Sequence, residues 1–250
     1  VRMKISVIVL TCNQRELTMQ CLRSLAKFFA EDDNELILVD NGSSDGTADK
    51  VRKTFPEVRI IELAENRGVA AGRNIGLAAA KGEYLMILDN DTIASPKAVK
   101  ALAAYLEKNP EVGIVAPRLV SPEGKVQRSY KSFPGIGVKL SNVLARGKNS
   151  IATKPPVKIT EPFYVIGAAQ MFTRLVYELA GPLDEKIFFG PEDADFCMAV
   201  RGIWKKVVYL PHITIIHHWQ RSTHKRLLSK GSARHAGALL YFYLKHHRFF

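Results

Sequence analysis

Three clusters in this 250-residue chain carry side chains that could do chemistry together. Asp89-Asn90-Asp91 sets two carboxylates one residue apart after an apolar run. Such a pair is electrostatically unfavourable unless a cation shares it. A hard divalent ion, Mg²⁺ or Mn²⁺, takes oxygen ligands and accepts substrate phosphates as the rest of its shell. The competing reading is a turn with a helix cap, where Asp and Asn are common. Glu192-Asp193-Ala194-Asp195 follows the aromatic pair Phe188-Phe189. Acids at a helix start serve the helix dipole, yet a carboxylate partly desolvated beneath aromatic rings suits a general base. His217-His218 ends a later strand, and a neutral imidazole can complete a metal site begun by carboxylates.

Two other positions bear on ligands. Asp40, at the end of an apolar run, could accept the imide N–H of a uracil or thymine ring, or simply cap the Gly-Ser-Asp turn that follows. Arg73 lies among small residues between Asn66 and Gly76. It could reach phosphate oxygens or a base, or lie along a tightly packed helix.

The elements around them follow from periodicity. Ile5–Thr11, Glu35–Asp40, Val58–Leu63, Tyr84–Leu88 and Val112–Ala116 are short β-branched runs that predict strands. Helical patterns separate them: Arg15–Phe29, a short helix from Thr47, Ala70–Ala80, and Pro96–Lys108 with Ser95 at its N-cap. Strands alternating with helices predict an α/β fold with a parallel sheet covered on both faces. In such sheets ligands bind beyond the carboxyl ends of the strands, which is where Thr11-Cys12-Asn13, Asp40 and Asp89–Asp91 fall. Residues 117–162 have no clean period and read as a functional excursion. Beyond it the apolar pattern resumes from Phe163, through Val165 to Phe172, and a loop and a helix from Glu192 come next. Strands over Lys206–Tyr209 and Ile213–Ile216 follow, then a basic helix over Ala233–Arg248.

The formal charge of +12 is uneven. Arg118–Lys158 holds nine Lys/Arg against one acid, and residues 221–250 hold seven and no acid. Such surfaces suit nucleic acid, an anionic membrane or phosphorylated substrates, or are merely solvated. A nucleic-acid binder would have no use for paired acids and a distal histidine at strand ends, so no nucleic-acid partner is expected. Three scattered cysteines, no secretory segment and no 18-residue apolar run lead to the expectation of a cytoplasmic protein.

Taken in order, the motifs resemble the family 2 glycosyltransferases. They are the Thr11-Cys12-Asn13 strand end, VDNGSSDGT at 39–47, ENRGVAAGRNIGLAAAKGEY at 65–84 and LDND at 88–91. GAAQMFTR at 167–174, GPLDEKIFFGPEDADF at 181–196, VVYLP at 207–211 and HHWQRST at 217–223 complete the set. The resemblance covers nearly the whole chain and is strongest to the bacterial rhamnosyltransferases of cell-surface polysaccharide synthesis. It implies one GT-A domain, with a mostly parallel Rossmann-like sheet and a small antiparallel acceptor-side portion. Residues 1–117 would be its nucleotide-binding half, 118–223 its acceptor and catalytic half, and 224–250 a basic C-terminal helix. It implies that Thr11, Asn13, Asp40, Arg73, Asp89 and Asn90 bind a UDP- or dTDP-sugar donor. Asp91 and His217 (less so His218) would hold Mg²⁺ or Mn²⁺. Asp193 would be the catalytic base, with Glu192 and Trp219 near donor and acceptor. The acceptor would be a saccharide or a lipid-linked diphosphate, with peripheral contact to the anionic inner face of the plasma membrane. Ala199 and Trp204 stand where relatives usually carry arginine and glycine, so acceptor-side detail departs from the pattern. A sugar-phosphate nucleotidylyltransferase, the alternative, would need a Gly-rich basic loop where Thr11–Leu17 stands.

Overall fold

The computed structural model describes residues 4–31, 34–133, 151–152, 154–219 and 230–246. The first half alternates as the periodicity predicts: β1 (Ile5–Thr11), α1 (Arg15–Glu31), β2 (Glu35–Asp40), α2 (Thr47–Thr54), β3 (Arg59–Glu62), α3 (Val69–Ala79) and β4 (Tyr84–Asp89). Then come β5 (Thr92–Ile93), α4 (Pro96–Lys108), β6 (Val112–Val120) and β7 (Tyr130–Lys131). The second half holds β8 (Tyr164–Val165), β9 (Ala169–Thr173), α5 (Arg174–Ala180), α6 (Glu192–Gly202), β10 (Lys206–His217) and α7 (Lys230–His246). α4 starts where its signals place it: the Ser95 side chain accepts from the N–H of Ala98, and Pro96 opens the helix.

Eight strands form one sheet in the order β3-β2-β1-β4-β9-β6-β10-β5. β1, β2, β3 and β4 are mutually parallel, as are β6 and β10; β9 runs antiparallel between β4 and β6, and β5 antiparallel to β10. β7 and β8 make a separate small antiparallel pair. Side chains alternate across the sheet. Ile5, Val7 and Val9 enter one core with α1, α2 and α4, while Ile8 enters the other with α3, α6 and α7. Both faces are therefore covered.

Several sequence expectations are corrected. The apolar stretch from Val165 to Phe172 is divided by a turn at 166–168 into β8 and β9. The two strands expected over 206–216 are one, β10, whose register shifts between Leu210 and Thr214. Pro211 lies in that shift, where a bulge spares the ladder a missing N–H. The loop expected before Glu192 contains α5, only seven residues long and capped by Thr173, whose Oγ1 accepts from Val176 N. Trp204, at the end of α6, adopts φ +61°, a conformation glycine takes freely, with its side chain almost wholly exposed. Residues 134–150 of the 117–162 excursion lie outside the described residues, as does the 220–229 part of the tail.

α3 lies very close to the sheet. A Cβ at Gly76 would stand 2.4 Å from Ile8 Cγ2 and 3.0 Å from Val39 Cγ2. Alanine would gain about 1 kcal/mol of helix propensity, but overpacking a fixed β-branched core costs about 1–3 kcal/mol. Overpacking wins, so Gly76→Ala should lower the denaturant midpoint without changing the m-value. An unchanged midpoint would show that α3 can lift from the sheet at no cost.

Candidate functional site

The carboxyl ends of β1, β2 and β4, the 166–168 turn, the start of α6 and the end of β10 surround one cleft of about 670 Å³. That volume is typical of a small-molecule site. Thr11, Arg73, Asp89, Asn90, Asp91, Glu192, Asp193, His217 and Trp219, all singled out in the sequence, line it. Asn13 and Asp40 are not among its lining residues. Asp40 is buried at the end of β2, where its Oδ1 accepts from Ser43 N at 2.8 Å. Asn13, at φ +53°, accepts from Ser44 N and belongs to the same turn cluster. His218 adds only a backbone link, its N–H donating to Asp91 O at 2.8 Å.

That link is part of what unites the acidic motif with the histidine. β5 follows the acidic motif and pairs with the end of β10, so that Thr92 faces His217. Ligand atoms of Asp89, Asp91 and His217 consequently lie within 4.8 Å of one another, and His217 Nε2 is 3.3 Å from Asp91 Oδ1. Two carboxylates and an imidazole opening on a cleft fit a divalent cation of the Mg²⁺ or Mn²⁺ kind, with positions left for substrate oxygens. Burial raises the pKa of Asp89; Arg73 pulls it back and Asp91 pushes it up again, for a net rise that a bound cation would relieve.

Arg73 does not reach into the cleft as a flexible arm. Only 4% exposed, it donates from Nη2 to Asp89 Oδ1 at 2.7 Å and to Gly167 O at 2.9 Å, and from Nη1 to Glu192 Oε1 at 3.2 Å. A Cβ at Gly167 would lie 2.4 Å from Nη1, so only glycine leaves room for the guanidinium. Glu192 has its other oxygen, Oε2, buried without a hydrogen-bond partner. Its burial and then the neighbouring Asp193 push its pKa from the ordinary 4.5 up to about 7, against the pull of Arg73. Asp193 is half-buried, and its carboxylate accepts from Gly167 N and Ala194 N. Beneath the cleft, Asn90 donates to both Thr11 Oγ1 and Thr18 Oγ1, tying β4 to β1 and α1.

The sequence reading missed three contributors. Asn41 lines the cleft and joins β2 to the start of α3 by donating to Gly68 O and accepting from Arg67 N; its place beside Asp40 was its only signal. Gly167 makes room for Arg73. Gln127, buried in the excursion, bonds both the backbone carbonyl and Nδ1 of His217, and no pattern in its surroundings marks it. The buried thiols Cys21 and Cys197 are pushed up to about 12, which suits packing rather than nucleophilic chemistry.

An α/β sheet with an acid-and-histidine cleft at its carboxyl edge is the architecture of a GT-A glycosyltransferase. The chain belongs to glycosyl transferase family 2, whose family model matches residues 6–178. It is 25% identical over 232 residues to the N-acetylglucosaminyl-diphospho-decaprenol L-rhamnosyltransferase of Mycobacterium tuberculosis, covering 84% of this chain and 75% of the relative. It is 32% identical over 152 residues to the poly-beta-1,6-N-acetyl-D-glucosamine synthase of Staphylococcus epidermidis, covering 58% of this chain but only 37% of the synthase. The fold is shared with the mannosyltransferase PcManGT of Pyrobaculum calidifontis, solved with GDP-Man and Mn²⁺. The TM-score is 0.67 at 22% identity, over 99% of this chain and 65% of that one.

The Glu192 titration has a consequence for stability. The folded state holds the proton of Glu192 more tightly than the unfolded chain does. Stability therefore falls as pH rises from about 4.5 to about 7 and is level above. At about 1.4 kcal/mol per pH unit the loss is on the order of 3 kcal/mol. Glu192→Gln should gain on the wild type over that interval in melting temperature, and parallel pH profiles for the two proteins would refute the assignment.

Proposed function

We propose that this family 2 enzyme is a metal-dependent, inverting glycosyltransferase. It uses a UDP- or dTDP-linked sugar, with dTDP-L-rhamnose the first candidate, and an acceptor hydroxyl in cell-surface polysaccharide synthesis. The observation that carries the reading is the meeting of Asp193 with the Asp91–His217 pair in one cleft, although 102 and 126 residues separate Asp193 and His217 from Asp91. The rhamnosyltransferase relative supports the choice of sugar.

In this mechanism Asp193 accepts the proton of the acceptor hydroxyl as that oxygen attacks the anomeric carbon. A new glycosidic C–O bond forms on the face opposite the nucleotide while the C–O bond to the diphosphate breaks. Gly167 N–H and Ala194 N–H orient the base. Asp89, Asp91 and His217 would hold Mg²⁺ or Mn²⁺, which when bound supplies positive charge to the leaving diphosphate. Arg73 fixes Asp89 and Glu192 in place, and Glu192 stands on the cleft wall on the donor and acceptor side. Asp40, Thr11, Asn13 and Asn90 form the nucleotide side, with Asp40 reading the imide N–H of the pyrimidine. Trp219 stands on the cleft wall as an aromatic face for a sugar ring.

Asp193→Asn should lower the transfer rate about 10²–10⁴-fold while its affinity for UDP or dTDP, measured by calorimetry with Mn²⁺, stays near that of the wild type. Chelation with EDTA should abolish transfer, and Mn²⁺ or Mg²⁺ should restore it. Wild-type turnover by the variant would remove Asp193 from its role, and full activity in EDTA would remove the metal.

The lipid-linked acceptor and cytoplasmic, membrane-peripheral location form part of the same proposal. Residues 221–250 are basic and acid-free, and α7 exposes Leu240 and Leu244, one turn apart, by 56% and 55%. No helix among the described residues is long and apolar enough to cross a bilayer. The Leu240→Asp/Leu244→Asp double variant should lose sedimentation with phosphatidylglycerol vesicles at unchanged melting temperature. Vesicle binding equal to wild type would separate α7 from any membrane.

A further inference from the structure

Gln127 is 5% exposed and sits in the 117–162 excursion, far in sequence from every residue of the cleft. A short hairpin brings it there: after β6 the chain turns at 121–124, and Val126 pairs back with Val120. Gln127 N then donates to Leu119 O and Ser129 N to Gln127 O. The side-chain amide reaches His217 at two points. Its Nε2 donates to His217 O at 2.8 Å, and its Oε1 stands 2.7 Å from His217 Nδ1.

These two contacts fix each other. A backbone carbonyl only accepts, so the NH₂ end of the amide must face it. Oε1 is left facing Nδ1, and an amide oxygen also only accepts, so the proton of the imidazole must be on Nδ1. In the neutral ring Nε2 then carries the lone pair, and Nε2 is the atom 3.3 Å from Asp91 Oδ1. With the ring neutral, a lone pair and a carboxylate oxygen point at each other, an arrangement favourable only with a positive charge between them. The second hydrogen bond also locks the plane of the ring, since it ties the amide to the backbone of the same residue.

We propose that Gln127 is a positioning residue that holds His217 as the Nδ1–H tautomer and thereby makes Nε2 a cation donor. This rests on the metal-dependent reading above but concerns a residue that never touches the ion. Partners that orient a ligating histidine commonly contribute 10–100-fold in metal affinity. The link also gives the excursion a share in the metal site, because a shift of the 121–127 hairpin would turn the imidazole.

The test uses the full chain with ¹⁵N-labelled histidine, His217→Ala assigning the resonance. Above pH 8, without metal, His217 should show the Nδ1–H pattern, and Gln127→Leu should convert it to the Nε2–H form favoured by free imidazole. Mn²⁺ binding, followed by electron paramagnetic resonance of the free ion, should weaken about 10–100-fold in Gln127→Leu and at least as much in His217→Ala. A wild-type Nε2–H pattern overturns the proposal even if Gln127→Leu fails to fold. So does wild-type Mn²⁺ affinity in Gln127→Leu when His217→Ala has lost it. Undiminished affinity in His217→Ala overturns the proposal together with the metal site it rests on.

Discussion

Four carboxylates, Asp89, Asp91, Glu192 and Asp193, are brought to one cleft, and the fold must make that concentration of negative charge tolerable. Arg73 is the protein's own answer. Burial works against its guanidinium, but Asp89 and Glu192 more than offset that, so its pKa is raised and its charge is secure. One cation thereby joins β4 to α6, which carries the proposed base Asp193. The geometry around it is correspondingly tight. α3 must lie against β1 closely enough for glycine at 72 and 76, and the turn between β8 and β9 must pass at Gly167 without a side chain. Arg73 hydrogen-bonds Asp89 and Glu192, while Asp91 has the imidazole of His217 as a near neighbour. The proposed divalent cation would add positive charge where Asp89, Asp91 and His217 meet.

Where local signals and tertiary context agree, the sequence was legible. β1, β2 and α4 fall where their apolar runs and caps put them, because those segments are buried on both faces or capped by their own residues. The failures share one physical origin, which is pairing between distant segments. β5 is two residues long and exists because β10 runs beside it. β9 lies antiparallel in an otherwise parallel neighbourhood, which no periodicity of its own could announce. Pro211 looks like a strand breaker in sequence, and only the ladder to β6 shows that a bulge carries the strand past it.

The site divides along the same line. Asp89–Asp91, Glu192-Asp193 and His217 were visible because charged residues at the ends of apolar runs are anomalies. Asp40 and Asn13 were equally visible, and they hold the 40–45 turn next to a stretch of cleft wall formed by Asn41 and Cys12. An ordered motif records that a segment matters; which of its side chains faces the ligand depends on the local twist of the turn. Gln127 had no anomaly to display. A glutamine in a polar stretch becomes informative only when a hairpin buries it against a histidine.

The first turn of α6 shows how the fold singles out one acid among three. Glu192, Asp193 and Asp195 crowd a helix start, where the dipole welcomes all of them. Glu192 is claimed by Arg73 from the sheet side. Asp195, 4% exposed, is claimed by Lys245 and His246 of α7, and Lys245 also reaches Asp184 on the far side of the loop. Asp193 alone takes its hydrogen bonds from backbone N–H groups. Ion pairs thus tie Glu192 to Arg73 and Asp195 to α7, whereas backbone donors orient Asp193 and leave it on the cleft wall. The C-terminal helix thus does more than extend the basic surface. By pairing with the neighbour two residues on, and by tying down the loop through Asp184, it leaves Asp193, the proposed base, oriented by backbone donors and half-exposed on the cleft wall.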